Sequence, residues 1–259
     1  MSFKTDKEYQ EYQKSLFDFL WREVDPRVAE MEATNHIPYD ELIPKFNKHG
    51  LFGMMIPDEY GGIGLTISQY LPVLTELSKI SGAIRAWIHV HNSSARAIVV
   101  YAKEEMKREL LPKVATGELS IAFGLTEANA GSGRDSKTTA VKKGDNFILN
   151  GEKHLITNAD ITQLFMVFCH TVDENGERKP TALLVDRDTP GFTVEAMPHL
   201  MGCRGAGHGI LTFTDCPVPV NNVIGEEGLG LDVFLGEMEP SRVFVAASSL
   251  GTAERALEE

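Results

Sequence analysis

The spacing of apolar residues changes twice along this chain, and those changes bound what it can fold into. Up to about Gly117 the pattern is helical. Tyr9, Tyr12, Leu16 and Phe19, with Leu20 beside them, recur at three- and four-residue steps, as the buried stripe of an amphipathic helix does. Residues 38–48 predict a shorter helix closed by His49-Gly50, with Gly where a helix C-terminus favours it. A glycine-rich connector at 58–64 precedes a long apolar helical region from Ile67, followed by helical segments at 95–102 and 103–114.

Near Leu119 the period shortens. Residues 141–153 read as strand, turn, strand, turn, strand, with Asn150-Gly151 a hairpin signal. Further short β runs at 164–171, 182–186, 192–195 and 210–214 are split by Gly, Pro and Asp, a spacing that suggests a compact antiparallel sandwich or barrel. After 225–230 the helical period returns through Val233, Phe234, Met238, Val245, Leu250 and Leu257. The expectation is α+β: an all-α domain at 1–118, a β domain at 119–228, and at 229–259 the first helix of a C-terminal helical domain whose remainder is absent. That last helix has no cap, Gly or Pro after it, so its apolar face is expected to need partners.

Composition removes several function classes. Acidic side chains outnumber basic ones, 37 to 25, for a net charge of −12, which argues against electrostatically driven nucleic-acid binding. Cys169, Cys203 and Cys216 are widely spaced with no C-x-x-C, so neither a disulfide framework nor a zinc site is expected. No apolar run approaches a membrane span, and the first residues lack the apolar core of a signal peptide. The expected location is cytoplasmic, or the mitochondrial matrix in a eukaryote.

Residues 121–158 carry the chemistry. The loop Thr126-Glu127-Ala128-Asn129-Ala130-Gly131-Ser132-Gly133 is built of small residues, and its backbone N–H groups can approach a phosphate or a planar ring closely. It is neither a Walker loop nor a G-x-G-x-x-G fingerprint. A second hydroxyl, Thr157, follows on a strand. Glu127 reads as a support for the loop, accepting backbone hydrogen bonds, rather than as a base.

Taken in order, these segments resemble the acyl-CoA dehydrogenase family of FAD-dependent flavoproteins across essentially the whole chain. Residues 56–62, IPDEYGG, resemble the family's P-x-x-x-G-G segment, and 124–136 its signature G-L-T-E-x-x-A-G-S-D-x-x-S. Residues 149–158 resemble L-N-G-x-K-x-x-I-T-N, and Gly225 to Gly230 with Arg242 and Gly251 resemble the opening of the C-terminal bundle. Two positions depart: Gly133 stands where the family has Asp, and Leu155 where it often has an aromatic residue that can stack on the flavin.

The resemblance implies oxidation of an acyl-CoA between Cα and Cβ, with a carboxylate removing the α-proton and FAD taking the hydride. Electrons would pass to an electron-transfer flavoprotein, and the chain would form a dimer or tetramer. It places Thr126 and Thr157 against the flavin, with Phe123, Gly124, Leu125, Leu155 and Ile156 lining the ring and Gly131 and Ser132 at the pyrophosphate or the CoA arm. Arg242, beside Glu239 and Ser241, would anchor CoA; the bland alternative is a solvated Arg paired with Glu239. Arg85 resembles the Arg that some glutaryl-CoA dehydrogenases use against a distal carboxylate, and the bland alternative is a surface Arg. The catalytic Glu is expected beyond residue 259, because most members of the family carry it late in the C-terminal domain; some branches place it at the position of Ser241, which cannot serve, and Glu237, one helical turn earlier, is a substitute. Competing readings are an oxidase, a reductase running the reaction backwards, and a catalytically incompetent module that binds CoA esters or a partner.

Overall fold

The computed structural model describes residues 3, 5–130, 135–198 and 200–259. Thr5 opens the first helix, α1 (Asp6–Phe19), by accepting from the Glu8 N–H, and the stripe seen in sequence buries Leu16 and Phe19. Short α2 (Val28–Thr34) leads to α3 (Tyr39–Lys48), which stops at His49-Gly50 with Gly50 at φ 67°. The connector to α4 (Ile67–Ile80) turns twice on glycine. Gly61 takes φ 84°, and a Cβ on Gly62 would stand 2.0 Å from the Ile56 carbonyl oxygen. This accounts physically for the paired glycines of the motif: one supplies a left-handed turn and the next a close backbone approach.

A capping box formed by Thr66 and Gln69 starts α4, and the Ser81 hydroxyl, accepting from the Ile84 N–H, starts α5 (Gly82–Tyr101). Helix α5 runs through the middle of the molecule. Trp87 joins Leu16, Phe46 and Tyr70 in one core, while Ala95 and Ile98 join residues of α6 (Glu104–Thr116) in another. That second core also holds Ile121, Leu164, Met166 and Leu184, so helices and sheet share it.

The strands are β1 (Ile121–Gly124), β2 (Thr139–Lys143), β3 (Asn146–Thr157), β4 (Leu164–Val172), β5 (Arg178–Asp186), β6 (Phe192–Ala196), β7 (His208–Pro219) and β8 (Val223–Ile224). Among the described residues they form an eight-stranded sheet ordered β6-β7-β3-β2-β4-β5-β8, with β1 on β4. The expected β domain is present, and most pairings are antiparallel. Both β1 and β2 pair with β4 in parallel, which short-run patterning does not distinguish.

The hairpin expected at Asn150-Gly151 does not form. The turn between β2 and β3 is at Gly144-Asp145, and Asn150-Gly151 instead lies inside β3 at a register shift against β7. Gly151 takes φ 144° with Thr138 packed against it, and the Asn150 side chain accepts from the Asp215 N–H at 2.9 Å. A turn-forming pair has been used for a bulge.

Helix α7 (Gly230–Glu258) returns along α4 and α5. Three glycines let it approach closely: a Cβ on Gly230, Gly236 or Gly251 would meet Thr181, the Tyr101 hydroxyl or the Thr75 carbonyl oxygen at 2.6 Å or less. Elsewhere along its length Val243, Val245, Leu250 and Leu257 are exposed. No helix among the described residues is long and apolar enough to cross a membrane.

The paired glycines separate two kinds of strain. Gly61→Ala puts a side chain at positive φ in open space and should cost about 1–2 kcal/mol. Gly62→Ala must displace the Ile56 backbone and should cost more. Denaturant midpoints of the two variants check this ordering; equal midpoints would remove the close-approach argument.

Candidate functional site

The ends of β1 and β3 face α5 and α7 across a cavity of about 200 Å³. On the sheet side it is lined by Phe123 of β1, by Leu125 and Thr126 just after it, and by Leu155, Ile156 and Thr157 of β3. A register shift between Lys153 and Ile156 kinks β3 here. Leu155 consequently sits at φ 58°, a left-handed conformation rare for leucine. The Thr157 hydroxyl lies 3.2 Å from His208 Nε2, and the Thr126 carbonyl accepts from the His154 N–H at 2.7 Å, tying the loop to β3.

The helix side is polar along one seam. His89, Val90 and Ser93 come from α5, and Phe234, Glu237, Met238 and Ser241 from α7. His89 lies within 3.4 Å of both Ser93 Oγ and Ser241 Oγ. Burial, reinforced by the Arg85 charge, lowers its pKa to about 4, so the ring is neutral near pH 7. Further along, Arg96 Nη1 donates to Glu237 Oε1 at 2.5 Å. Burial pushes the Glu237 pKa up to about 7 against the pull of Arg96.

Beneath the loop lies a buried ion pair. Lys153 Nζ is 2.8 Å from Glu127 Oε1, and the Lys153 side chain is wholly buried. Glu127 also accepts from Ser136 Oγ, the Lys137 N–H, the Thr138 N–H and the Thr138 hydroxyl, at 2.5 to 3.0 Å. Burial works to raise its pKa, yet these donors hold it down at about 2. Glu127 is thus the loop support that the sequence suggested.

The structure brings together Phe123, Leu125, Thr126, Leu155, Ile156, Thr157 and Ser241 in one cavity. Gly124 lines a smaller neighbouring pocket instead, with Met166 and Phe168. Gly131 and Ser132 lie outside the described residues. Arg85 is half-buried on α5 one turn from His89 and does not line the cavity. Glu239 and Arg242 are both exposed, away from the cavity lining, and no ion pair joins them. Sequence reading missed His89, Val90, Phe234 and Met238 as cavity residues. The helical period of α7 contains the signal for Phe234, Met238 and Ser241 as one face, but nothing local says what that face looks at.

Comparison with known proteins gives the lineage. The model of the acyl-CoA dehydrogenase N-terminal domain matches residues 6–118 and that of the middle domain residues 122–216. The chain belongs to the acyl-CoA dehydrogenase family. Within that family, an acyl-CoA dehydrogenase of Bacillus subtilis (strain 168) is 36% identical over 95% of this chain and 65% of its own length. The structure of a glutaryl-coenzyme A dehydrogenase glutaryl-CoA complex superposes with a TM-score of 0.88 at 30% identity, over 100% of this chain and 66% of that one. An acyl-CoA dehydrogenase from Bacillus anthracis complexed with FAD gives 0.87 at 30% identity, over 98% of this chain and 44% of that one. The chain spans about two thirds of the length of the curated relatives it matches.

The buried pair makes stability depend on pH in a defined direction. Because the folded-state pKa of Glu127 lies below its ordinary 4.5, its contribution is complete above that value and is lost as pH falls toward 2. Lys153→Met, which strands the carboxylate, should cost about 3–5 kcal/mol at neutral pH. Thermal melts of this variant from pH 7 to pH 3 should show its deficit shrinking as Glu127 protonates; a deficit independent of pH would contradict the pairing.

Proposed function

We propose that this chain carries the flavin- and acyl-binding part of an FAD-dependent acyl-CoA dehydrogenase, which converts an acyl-CoA thioester to the trans-2-enoyl-CoA, and that its acyl group ends in a carboxylate. The observation that carries the reading is the meeting of Thr126 and Thr157 in one largely apolar cavity. A planar ring with polar edges needs apolar faces and a few well-placed hydrogen-bonding groups. FAD, when bound, supplies the hydride acceptor. Phe123, Leu125, Leu155 and Ile156 would cover the ring, and the two threonine hydroxyls would address its edge. Gly131 and Ser132 would reach the pyrophosphate or the CoA arm. Glu239 and Arg242, exposed on α7, would meet the outer part of CoA. The neutral His89 helps keep the acyl side of the cavity uncharged.

Arg85 supports the carboxylate half of the reading. It makes no ion pair among the described residues, and its Nε is buried without a partner. The Tyr70 hydroxyl, buried on α4, is also unpartnered, and burial raises its pKa while the Arg85 charge draws it down. Buried donors without an acceptor are costly, and a carboxylate entering from the His89 side would satisfy them. The likeness to a glutaryl-CoA dehydrogenase is consistent with that chemistry.

Proton abstraction belongs, in this reading, to a carboxylate in the part of the relatives' length that this chain does not span. Transfer of electrons to an electron-transfer flavoprotein and assembly as a dimer or tetramer belong to the same reading.

The test is selective binding. In the FAD-loaded chain, Arg85→Ala should weaken glutaryl-CoA about tenfold or more by calorimetry, while butyryl-CoA binding is unchanged. Equal loss for both esters, or none, would count against a carboxylated substrate.

A further inference from the structure

Among the described residues lining the cavity there is one acid, and neither the ring nor the acyl chain accounts for it. Glu237 is 3% exposed on α7. Its Oε1 is taken by Arg96, which also reaches the Gly236 carbonyl, while its Oε2 is buried with no partner. Such an oxygen is costly unless a donor arrives.

The direction of the ligand says which donor. Helices α5 and α7 run antiparallel: Phe244 meets His89, Ser241 meets His89, and Glu237 meets Arg96. Arg85 therefore lies toward one end of this seam and Glu237 toward the other. A thioester whose terminal carboxylate meets Arg85 sends its sulfur and carrier arm past Ser241 toward Glu237. That arm, pantetheine, carries two secondary amides, each with an N–H donor.

We propose that Glu237 Oε2 accepts a hydrogen bond from a pantetheine amide N–H of the bound thioester, with Arg96 holding the carboxylate in place for it. This rests on the ligand orientation proposed above. Burial raises the pKa of this carboxyl, and an N–H donor on Oε2 would draw it back down by favouring the charged form. Pantetheine is common to CoA and to acyl carrier proteins, and the recognised chemistry is the arm itself.

The experiment compares three glutaryl thioesters by calorimetry on the FAD-loaded full chain and its Glu237→Gln variant: glutaryl-CoA, glutaryl-pantetheine, and the ethanethiol ester, which lacks the amides. In the variant, Arg96 occupies the amide oxygen and an NH₂ group faces the ligand N–H. Both pantetheine-bearing esters should bind about tenfold more weakly to the variant, and the ethanethiol ester equally well. If glutaryl-CoA is tighter than glutaryl-pantetheine by the same factor in both proteins, the proposal stands and the nucleotide marks CoA as the source. If the two match, it stands with the arm alone recognised. Should Glu237→Gln not fold, the double replacement Arg96→Met with Glu237→Leu removes the pair together and should show the same selective loss. Equal loss for all three esters, or no loss, overturns the proposal while leaving the proposed function intact. Failure of the wild-type chain to bind any of the three overturns both.

Discussion

The pair between Lys153 and Glu127 joins the loop after β1 to the middle of β3, and the sheet wall of the cavity follows from it. Lysine inside a protein is tolerated only with a partner, and here the partner is also the acceptor for Ser136, Lys137 and Thr138. The carboxylate therefore draws two backbone segments and one strand to a single point. Thr126 precedes Glu127 by one residue and Thr157 follows Lys153 by four, so fixing the pair fixes both hydroxyls. The kink at Leu155 is a local consequence, since Lys153 must face inward while the end of β3 turns toward α5 and α7.

The opposite wall depends on a different constraint, the close approach of α7. Its apolar residues do not make a single buried stripe; Val243, Val245 and Leu250 face outward. What seats it is the absence of side chains at Gly230, Gly236 and Gly251, where neighbouring backbone or the Tyr101 hydroxyl fills the space a methyl would need. Close packing brings Glu237 and Ser241 within reach of Arg96 and His89. The two walls are thus held independently, one by charge and the other by van der Waals approach.

Much of this was readable in the chain. Helices with side-chain caps and glycine stops, such as α1 and α3, are specified locally, and the change of period near Leu119 marks the first strand within two residues. The hydroxyls of the cavity were legible because their motifs lie on contiguous sequence. Asn150-Gly151 misled because the same conformational freedom serves a hairpin turn or a bulge, and only the pairing of β3 with β7 decides between them. His89 and Val90 were illegible as cavity residues for a related reason: α5 buries residues nearly all round, polar ones such as His89, His91 and Asn92 among them, so period alone does not say which side meets the sheet. Arg96 and Glu237 are 141 residues apart, and no local pattern joins them.

The most direct measurement is a titration of the purified chain with FAD, followed by visible absorbance and flavin fluorescence, and then by addition of glutaryl-CoA. If the cavity seats an isoalloxazine ring beside a thioester, one FAD binds per chain with its fluorescence altered, and the ester shifts the bound flavin's absorption bands. A flavin spectrum identical to that of free FAD, indifferent to the ester, would contradict the assignment of this cavity.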